Sequence, residues 1–318
     1  MPYSWDDSHD YETKDITGSY SFKDARKSYD DIAVAKTSSK AFYTYKSPFL
    51  TTDALYPIII GIDTTGSMEE WPSIFFEKLP LLYKEAIKYF PECEISFQAI
   101  NDFYADGHDV ALQPAPFGKG PQLDEFIGQL YPYGGGGGNG GESYEIFAAY
   151  NSFLKAPKSL IKPIAIILGD EPLFEDMPKE ISQYYKFSKE GKVSTKEAFK
   201  RLHETCDVFL VRKPYVSLDG DGDIIATWQK YGLMPKERIM TIKDPRRVVD
   251  VILGVLGILT GKADLFEDEL KSRQEPKQVK EVMGALKTLK ATYHGILSQN
   301  SVSGDLEDDK TEKTKSLL

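Results

Sequence analysis

The sequence predicts an α/β fold, a doubly wound and mostly parallel central sheet with helices on both faces. Short apolar runs rich in β-branched residues alternate with helix-like segments between residues 53 and 262. Two of these runs, PIIIGID and KPIAIILGD, are almost continuously apolar, as expected for strands buried on both faces. The 318 residues are also enough to bury the core of such a sheet.

The first half of this region shows a regular succession of elements. The first strand is predicted at PIIIGID, followed by a long helix in which Pro72 suits the first turn and Pro80 kinks or splits the helix. The second strand is predicted at CEISFQAIND. An edge strand is predicted at DVALQPAPF because its prolines would disrupt a central ladder. A short helix is expected at QLDEFIGQLYPY.

The second half continues the alternation after a glycine-rich loop at residues 134–141, which opens a helix. Three further strands are predicted at KPIAIILGD, CDVFLVRK and RIMTIK. Three further helices are predicted at KEAFKRLHET, IIATWQKYG and VVDVILGVLGILTG. Gly232 is a helix stop signal, and Asp244 with Pro245 is a start signal.

The segments that flank this core differ from it in composition. Residues 1–52 are polar and Tyr-rich without sustained periodicity, which predicts an extended arm that lies partly on the domain surface or binds a partner. Residues 263–299 predict a helical extension divided by Pro276, and residues 300–318 predict a disordered tail. The extension carries an apolar stripe that either packs on the main domain or binds a partner as a helix. The stripe consists of Val279, Val282, Met283, Leu286 and Leu289.

Composition argues against several classes of protein. The net charge of −10 argues against general nucleic-acid binding and against docking on anionic membranes. Cys93 and Cys206 lie far apart without the spacing of a zinc site, which favours buried free thiols. The first residues do not resemble a signal peptide, and the longest apolar run is too short for a membrane span. We therefore expect a soluble, cytoplasmic protein.

Oxygen-bearing side chains follow two of the predicted strands. The first strand ends at Asp63, with Thr65 and Ser67 at steps of two, and a later strand ends at Asp170. Ligands of doubly wound sheets bind beyond the carboxyl ends of the strands, so we expect these side chains to converge. Carboxylate and hydroxyl oxygens suit Mg²⁺, with Mn²⁺ and Ca²⁺ as alternatives. The pattern therefore predicts a metal site, although Asp63 and Thr65 could instead cap the next helix.

Other polar residues are expected at the same edge of the sheet. The glycine-rich loop contributes Asn139, Glu142 and Ser143. Asp102 ends the second strand and could reach the crevice or simply form a turn, and Glu171 follows the last predicted ligand. We expect Asp102, Glu171 and Ser143 to support the site or to contact a partner. The glycines themselves permit close approach and unusual backbone angles.

The segment DTTGSM, residues 63–68, resembles the metal-ion-dependent adhesion motif of von Willebrand factor type A (vWA) domains. The resemblance covers residues 56–262 and implies the Rossmann-like vWA fold, with a metal held by Asp63, Thr65, Ser67 and Asp170. Many members have a threonine ligand in the middle loop. This chain departs from that pattern, and the resemblance implies that Asn139 or Glu142 takes its place.

The function implied by this resemblance is metal-dependent binding of a carboxylate on a protein partner, without catalysis. Intracellular members often act within multi-protein assemblies or with an AAA ATPase. One alternative is a Mg²⁺-dependent phosphatase that uses Asp63 as nucleophile, but Thr65 stands where that chemistry needs a second acid. Another is a scaffold whose metal site is vestigial.

Overall fold

The computed structural model describes residues 49–107, 110–130, 141–188, 193–215 and 221–304. Their strands are β1 (Tyr56–Asp63), β2 (Cys93–Ile100), β3 (Leu112–Pro114), β4 (Ile164–Gly169), β5 (Asp176–Met177), β6 (Val193–Ser194), β7 (Asp207–Arg212) and β8 (Ile239–Thr241). Their helices are α1 (Trp71–Glu77), α2 (Leu79–Tyr89), α3 (Phe103–Asp106), α4 (Gln122–Ile127), α5 (Tyr144–Asn151), α6 (Lys179–Tyr184), α7 (Thr195–Thr205), α8 (Asp221–Gln229), α9 (Val248–Leu259), α10 (Ala263–Arg273) and α11 (Pro276–Gly304).

The central sheet has six strands in the order β3-β2-β1-β4-β7-β8. All neighbouring pairs are parallel except β2 and β3, where β3 forms an antiparallel edge. Strands β5 and β6 form a separate antiparallel pair. The predicted α/β fold with a mostly parallel sheet is confirmed, and the Pro-containing segment lies at the edge as its missing N–H groups require.

The two faces of the sheet bury different sets of helices because side chains alternate along each strand. In β1, Ile58, Ile60 and Ile62 pack in the core that contains α1, α2 and α9 to α11. Ile59 packs in the opposite core, which contains α5 and α7. Both cores are continuous apolar layers, so the sheet is covered on both faces, as parallel sheets generally are.

The long helix predicted after β1 is divided into α1 and α2. Lys78 lies between them, and a proline occupies the first turn of each helix. This agrees with the expected roles of Pro72 and Pro80, since proline fits a first turn but removes a hydrogen bond from a helix interior.

The C-terminal helices α10 and α11 pack on α9 in the core. Within the predicted stripe, Val282, Leu286 and Leu289 are fully buried in the core that contains α9. The structure therefore decides between the two interpretations of the stripe in favour of packing on the main domain. Helix α11 continues to Gly304, so the boundary predicted at residue 300 lies inside it.

The other predictions for the ends of the chain lie mostly outside the described residues, which exclude 1–48 and 305–318. The described end of the arm contacts the domain, since the ring of Phe49 stacks on that of Phe153 with centroids 4.0 Å apart. Cys93 and Cys206 are buried free thiols. Among the described helices, none has both the length and the apolar character needed to cross a membrane.

The chain order reverses direction across the sheet between β1 and β4. From β1 the chain proceeds to β2 and β3 on one side, and later to β4, β7 and β8 on the other. The connections therefore leave the carboxyl ends of β1 and β4 on opposite faces, which opens a crevice between those ends. Asp63 and Asp170 lie at this crevice.

Candidate metal centre

Asp63, the last residue of β1, is fully buried and accepts hydrogen bonds from the turn that follows it. Its Oδ1 accepts from the Thr65 main-chain N–H at 2.9 Å and from the Thr65 hydroxyl at 2.6 Å. The backbone then forms a 3-10 turn at Gly66–Met68. The turn brings the hydroxyl of Ser67 to 3.3 Å from that of Thr65, so three side chains spaced by two residues form one cluster.

Asp170 joins this cluster from the neighbouring strand β4. The Ser67 hydroxyl donates to Asp170 Oδ1 at 2.9 Å, across 103 positions of sequence. A chain of oxygen atoms therefore runs without interruption from Asp63 through Thr65 and Ser67 to Asp170. The structure brings together the four residues that the sequence singles out.

Glu142 adds a third buried carboxylate to this cluster. Its main-chain N–H donates to the Pro172 carbonyl at 2.9 Å, which holds this part of the loop beside the segment after Asp170. The charge of Asp63 acts on this side chain, which is itself buried. Its Oε2 is buried and has no hydrogen-bond partner among the described residues, which is costly for a charged oxygen.

The acids of this cluster have raised pKa values, which indicates that too little positive charge lies near them to offset their burial. Burial raises the pKa of Asp63 to about 6, although hydrogen bonds from Thr65 and Tyr144 oppose the rise. Burial and the charge of Asp63 raise the pKa of Asp170 to about 7. The same two causes raise the pKa of Glu142 well above its usual range. A divalent cation would supply the missing positive charge and favour the ionised forms.

The donor set fits a hard cation such as Mg²⁺, which is bound by oxygen ligands and retains water in protein sites. Two aspartates and two hydroxyls are in contact, and Glu142 is adjacent. Within the described residues, no group of three or more His, Cys, Asp or Glu side chains is arranged to hold a metal. A cation bound here would therefore depend on the hydroxyl oxygens of Thr65 and Ser67 as well as on carboxylates.

The remaining predicted residues have separate positions. Asn139 lies outside the described residues. Asp102 is buried and caps α3, where its Oδ1 accepts from the Tyr104 N–H at 2.8 Å, and its charge contributes to the raised pKa of Glu142. The Ser143 hydroxyl accepts from the Phe103 N–H at 3.0 Å, which ties the residue before α5 to the first residue of α3.

Glu171 lies at the rim of the crevice, where it is partly exposed. Its carboxylate accepts a hydrogen bond from the Tyr215 hydroxyl, and its carbonyl accepts from Trp228 Nε1 at 3.0 Å. These contacts link the segment after β4 to α8 and to the segment after β7.

Tyr144 is a site residue that the sequence did not indicate. Its hydroxyl donates a short hydrogen bond to Asp63 Oδ2, the oxygen that Thr65 does not occupy. Its ring packs against Trp228 with centroids 5.0 Å apart. A side chain at Gly169 would overlap the Tyr144 hydroxyl, so the glycine before Asp170 makes this contact possible. In the sequence, the glycine before Asp170 could have indicated that another group approaches the backbone closely at this position.

Lys213 is a second residue that sequence reasoning missed. It follows β7, is only 7% exposed, and donates through Nζ to the Ser67 carbonyl and to Glu69 Oε2, the latter at 3.0 Å. Its Nζ lies 3.9 Å from Asp170 Oδ2. In the sequence, Lys213 is visible as a positively charged residue directly after a buried strand. Its proximity to Asp170 follows only from the pairing of β7 with β4.

Comparison with known proteins adds a structural likeness only. The sequence matches no family model and no curated protein. Similar solved structures include the open conformation of the pilus adhesin SpaC from Lactobacillus rhamnosus GG, with 12% identity and a TM-score of 0.44 over 69% of this chain and 31% of that one.

Two further similar structures are described as vWA domains. A von Willebrand factor type A protein from Catenulispora acidiphila has 14% identity and a TM-score of 0.40 over 65% of this chain and 43% of that one. The SpRpn10 VWA domain has 10% identity and a TM-score of 0.37 over 65% of this chain and 97% of that one. This chain spans less than half the length of the adhesin and of the Catenulispora protein.

Proposed function

We propose that this protein is a vWA-type binding module in which Asp63, Thr65, Ser67 and Asp170 hold a divalent cation. Mg²⁺ is the expected ion, with Mn²⁺ or Ca²⁺ as alternatives, and Glu142 or Asn139 would supply a further ligand. The observation that carries the proposal is the buried chain of oxygen contacts between the ends of β1 and β4, which is short of positive charge.

The proposed activity is recognition of a carboxylate on a protein partner. Hydroxyl ligands bind a cation without neutralising it, so the bound ion would keep an affinity for an incoming anion. The chain's own residues hold the geometry, since Tyr144 and Thr65 orient the two oxygens of Asp63. A multi-protein assembly or an AAA ATPase in the cytoplasm is the setting that the resemblance to intracellular vWA proteins implies.

We propose that the site is not catalytic. A phosphatase that used Asp63 as nucleophile would need an acid two residues later to protonate the leaving group. Thr65 occupies that position, and its hydroxyl donates a hydrogen bond to Asp63. Hydrolysis of a generic phosphomonoester in Mg²⁺ by the wild type, lost in Asp63→Asn, would contradict this proposal.

Calorimetric titration with Mg²⁺ and Mn²⁺ tests the metal site. We expect saturable one-site binding that weakens at least about tenfold in Asp63→Ala, because a charged ligand is removed. Asp223→Ala, an exposed acid in α8, is the matched control and should bind as the wild type does. Equal binding by Asp63→Ala would contradict the assignment, and no binding by the wild type would favour a scaffold with a vestigial site.

A further inference from the structure

Lys213 has a hydrogen-bonding capacity that its present contacts do not exhaust. An ammonium group has three N–H donors. In the structure Nζ donates to the Ser67 carbonyl and to Glu69 Oε2, while Asp170 Oδ2 at 3.9 Å is too far for a hydrogen bond. Lys213 thus places a nearly buried cation beside two of the proposed metal ligands.

Glu69 places a carboxylate of the chain itself on this cation. It follows the turn that carries Ser67, and its Oε2 lies 3.0 Å from Lys213 Nζ. The Glu69 side chain is 46% exposed, whereas Lys213 is almost fully covered. The φ angle of Glu69 is +52°, a left-handed conformation that favours glycine and that a glutamate adopts at a cost.

We propose that Lys213 determines ligand specificity by binding the second oxygen of a partner's Asp or Glu carboxylate, and that Glu69 occupies this position until the partner arrives. The inference rests on the proposed function. A carboxylate that gives one oxygen to a cation at Asp63, Thr65, Ser67 and Asp170 still has a second oxygen that can accept hydrogen bonds. Lys213 is the ammonium that lies beside Asp170.

Lys213 is paired with a carboxylate both before and after a partner's carboxylate replaces that of Glu69. An ion pair with a half-exposed partner contributes little to stability, so releasing Glu69 is inexpensive. The carboxylate already seated on Lys213 indicates which chemical class the position accepts.

The experiment measures how acetate, the simplest carboxylate probe, changes the affinity for Mg²⁺. Mg²⁺ is titrated by calorimetry into protein in sodium acetate and in sodium chloride of equal ionic strength. Because coupling between two ligands is reciprocal, acetate that bridges the cation and Lys213 must raise the apparent Mg²⁺ affinity. In the wild type we expect an increase of about fivefold, the low end of ordinary couplings.

Two variants separate the roles of the ion pair. Glu69→Gln removes the competing carboxylate, so the acetate effect should grow beyond that of the wild type. Lys213→Met removes the ammonium, so the acetate effect should disappear while Mg²⁺ still binds in chloride. Glu69→Gln changes a half-exposed side chain, and it keeps the test decisive should Lys213→Met fail to fold.

The chain provides a matched control pair at the opposite end of the sheet. Glu92 also has a positive φ, +61°, and its Oε2 lies 2.6 Å from Lys119 Nζ. It directly precedes β2, whereas the proposed site lies at the ends of the parallel strands. Glu92→Gln and Lys119→Met should show the wild-type acetate effect, and comparison across variants cancels the weak binding of acetate to free Mg²⁺.

The outcomes distinguish this inference from the proposed function. An acetate effect of wild-type size in Lys213→Met, or none in the wild type while Mg²⁺ binds, would overturn the role of Lys213 alone. An acetate effect that does not grow in Glu69→Gln would overturn the role of Glu69 as a competitor. No Mg²⁺ binding in any protein would overturn the proposed metal site and the inference with it.

Discussion

Glu145, in the first turn of α5, shows how burial alone changes the chemistry of one side chain. It is fully buried, and neither carboxylate oxygen has a hydrogen-bond partner among the described residues. Burial raises its pKa to about 8, and the charge of Asp102 adds to the rise. The main-chain N–H groups of Glu145 and Phe174 oppose this shift without cancelling it.

Glu145→Gln should remove a pH dependence of stability. An unfolded glutamate ionises near 4.5, so between about pH 4.5 and 8 the folded state binds more protons and stability falls as the pH rises. Glutamine has nearly the same shape and does not ionise. We expect equal stability near pH 5 and a more stable variant at pH 8.5, by on the order of a few kcal/mol, since one pKa unit corresponds to about 1.4 kcal/mol.

Urea unfolding at the two pH values measures this difference. Glu180→Gln, which changes an exposed glutamate of α6, is the control and should follow the wild type. If Glu145→Gln kept the pH dependence of the wild type, the carboxyl would have to be ionised in the folded protein.

At the scale of elements, the packing of α9 depends on glycine. A Cβ at Gly254 would overlap Leu286 of α11 and would lie 2.9 Å from the ring of Phe266 in α10. The same helix carries Asp250, whose Oδ2 accepts from Arg247 Nη1 at 3.1 Å in the buried interface. Helices α9, α10 and α11 therefore approach closely because one helix lacks a side chain at the crossing.

Gly254→Ala should destabilise the protein even though alanine favours helices. The added methyl group must displace Leu286 or Phe266, and overpacking of this kind costs about 1–3 kcal/mol. Gly284→Ala in α11 is the matched control, because a Cβ added at Gly284 would meet no atom within 4 Å. It should stabilise the helix by up to about 1 kcal/mol. Denaturant unfolding of both variants checks the opposite signs, and equal effects would contradict this account of the crossing.

At the scale of the whole molecule, the buried acids link stability to both protons and cations. The chain has a net charge of −10, and three of its carboxylates meet in one buried cluster. Unfolded aspartate ionises near 3.8, whereas Asp63 and Asp170 in the fold ionise near 6 and 7. The folded state therefore holds extra protons between about pH 4 and 7, and without a cation it loses stability as the pH rises through this range.

Mg²⁺ should stabilise the protein more at pH 7.5 than at pH 5, because protons compete with the cation for the same carboxylates. At a concentration 100 times its dissociation constant, a ligand that binds only the folded state adds about 2.7 kcal/mol. Unfolding in EDTA and in excess Mg²⁺ at both pH values measures the effect. Asp63→Asn should abolish it, and a Mg²⁺ effect of equal size at both pH values would contradict the assignment of these acids as ligands.

Much of the fold and part of the site could be predicted because their signals are local. Strand β1 is visible as a continuous apolar run, and the division of the following helix is visible in its prolines. Asp63, Thr65 and Ser67 are close in sequence, so their convergence depends only on a strand that ends and a turn that follows. That they bind a metal stays a prediction.

The order of residues alone predicts the α/β alternation and the cluster of carboxylates and hydroxyls at the ends of β1 and β4. Three contacts become visible only in the folded chain: the C-terminal stripe packs on α9, Tyr144 donates to Asp63, and Lys213 pairs with Glu69. The difference follows from the distance along the chain over which each interaction acts. Strand periodicity and turn chemistry act over a few residues, whereas these three contacts join segments that meet only when the sheet and its helices are assembled.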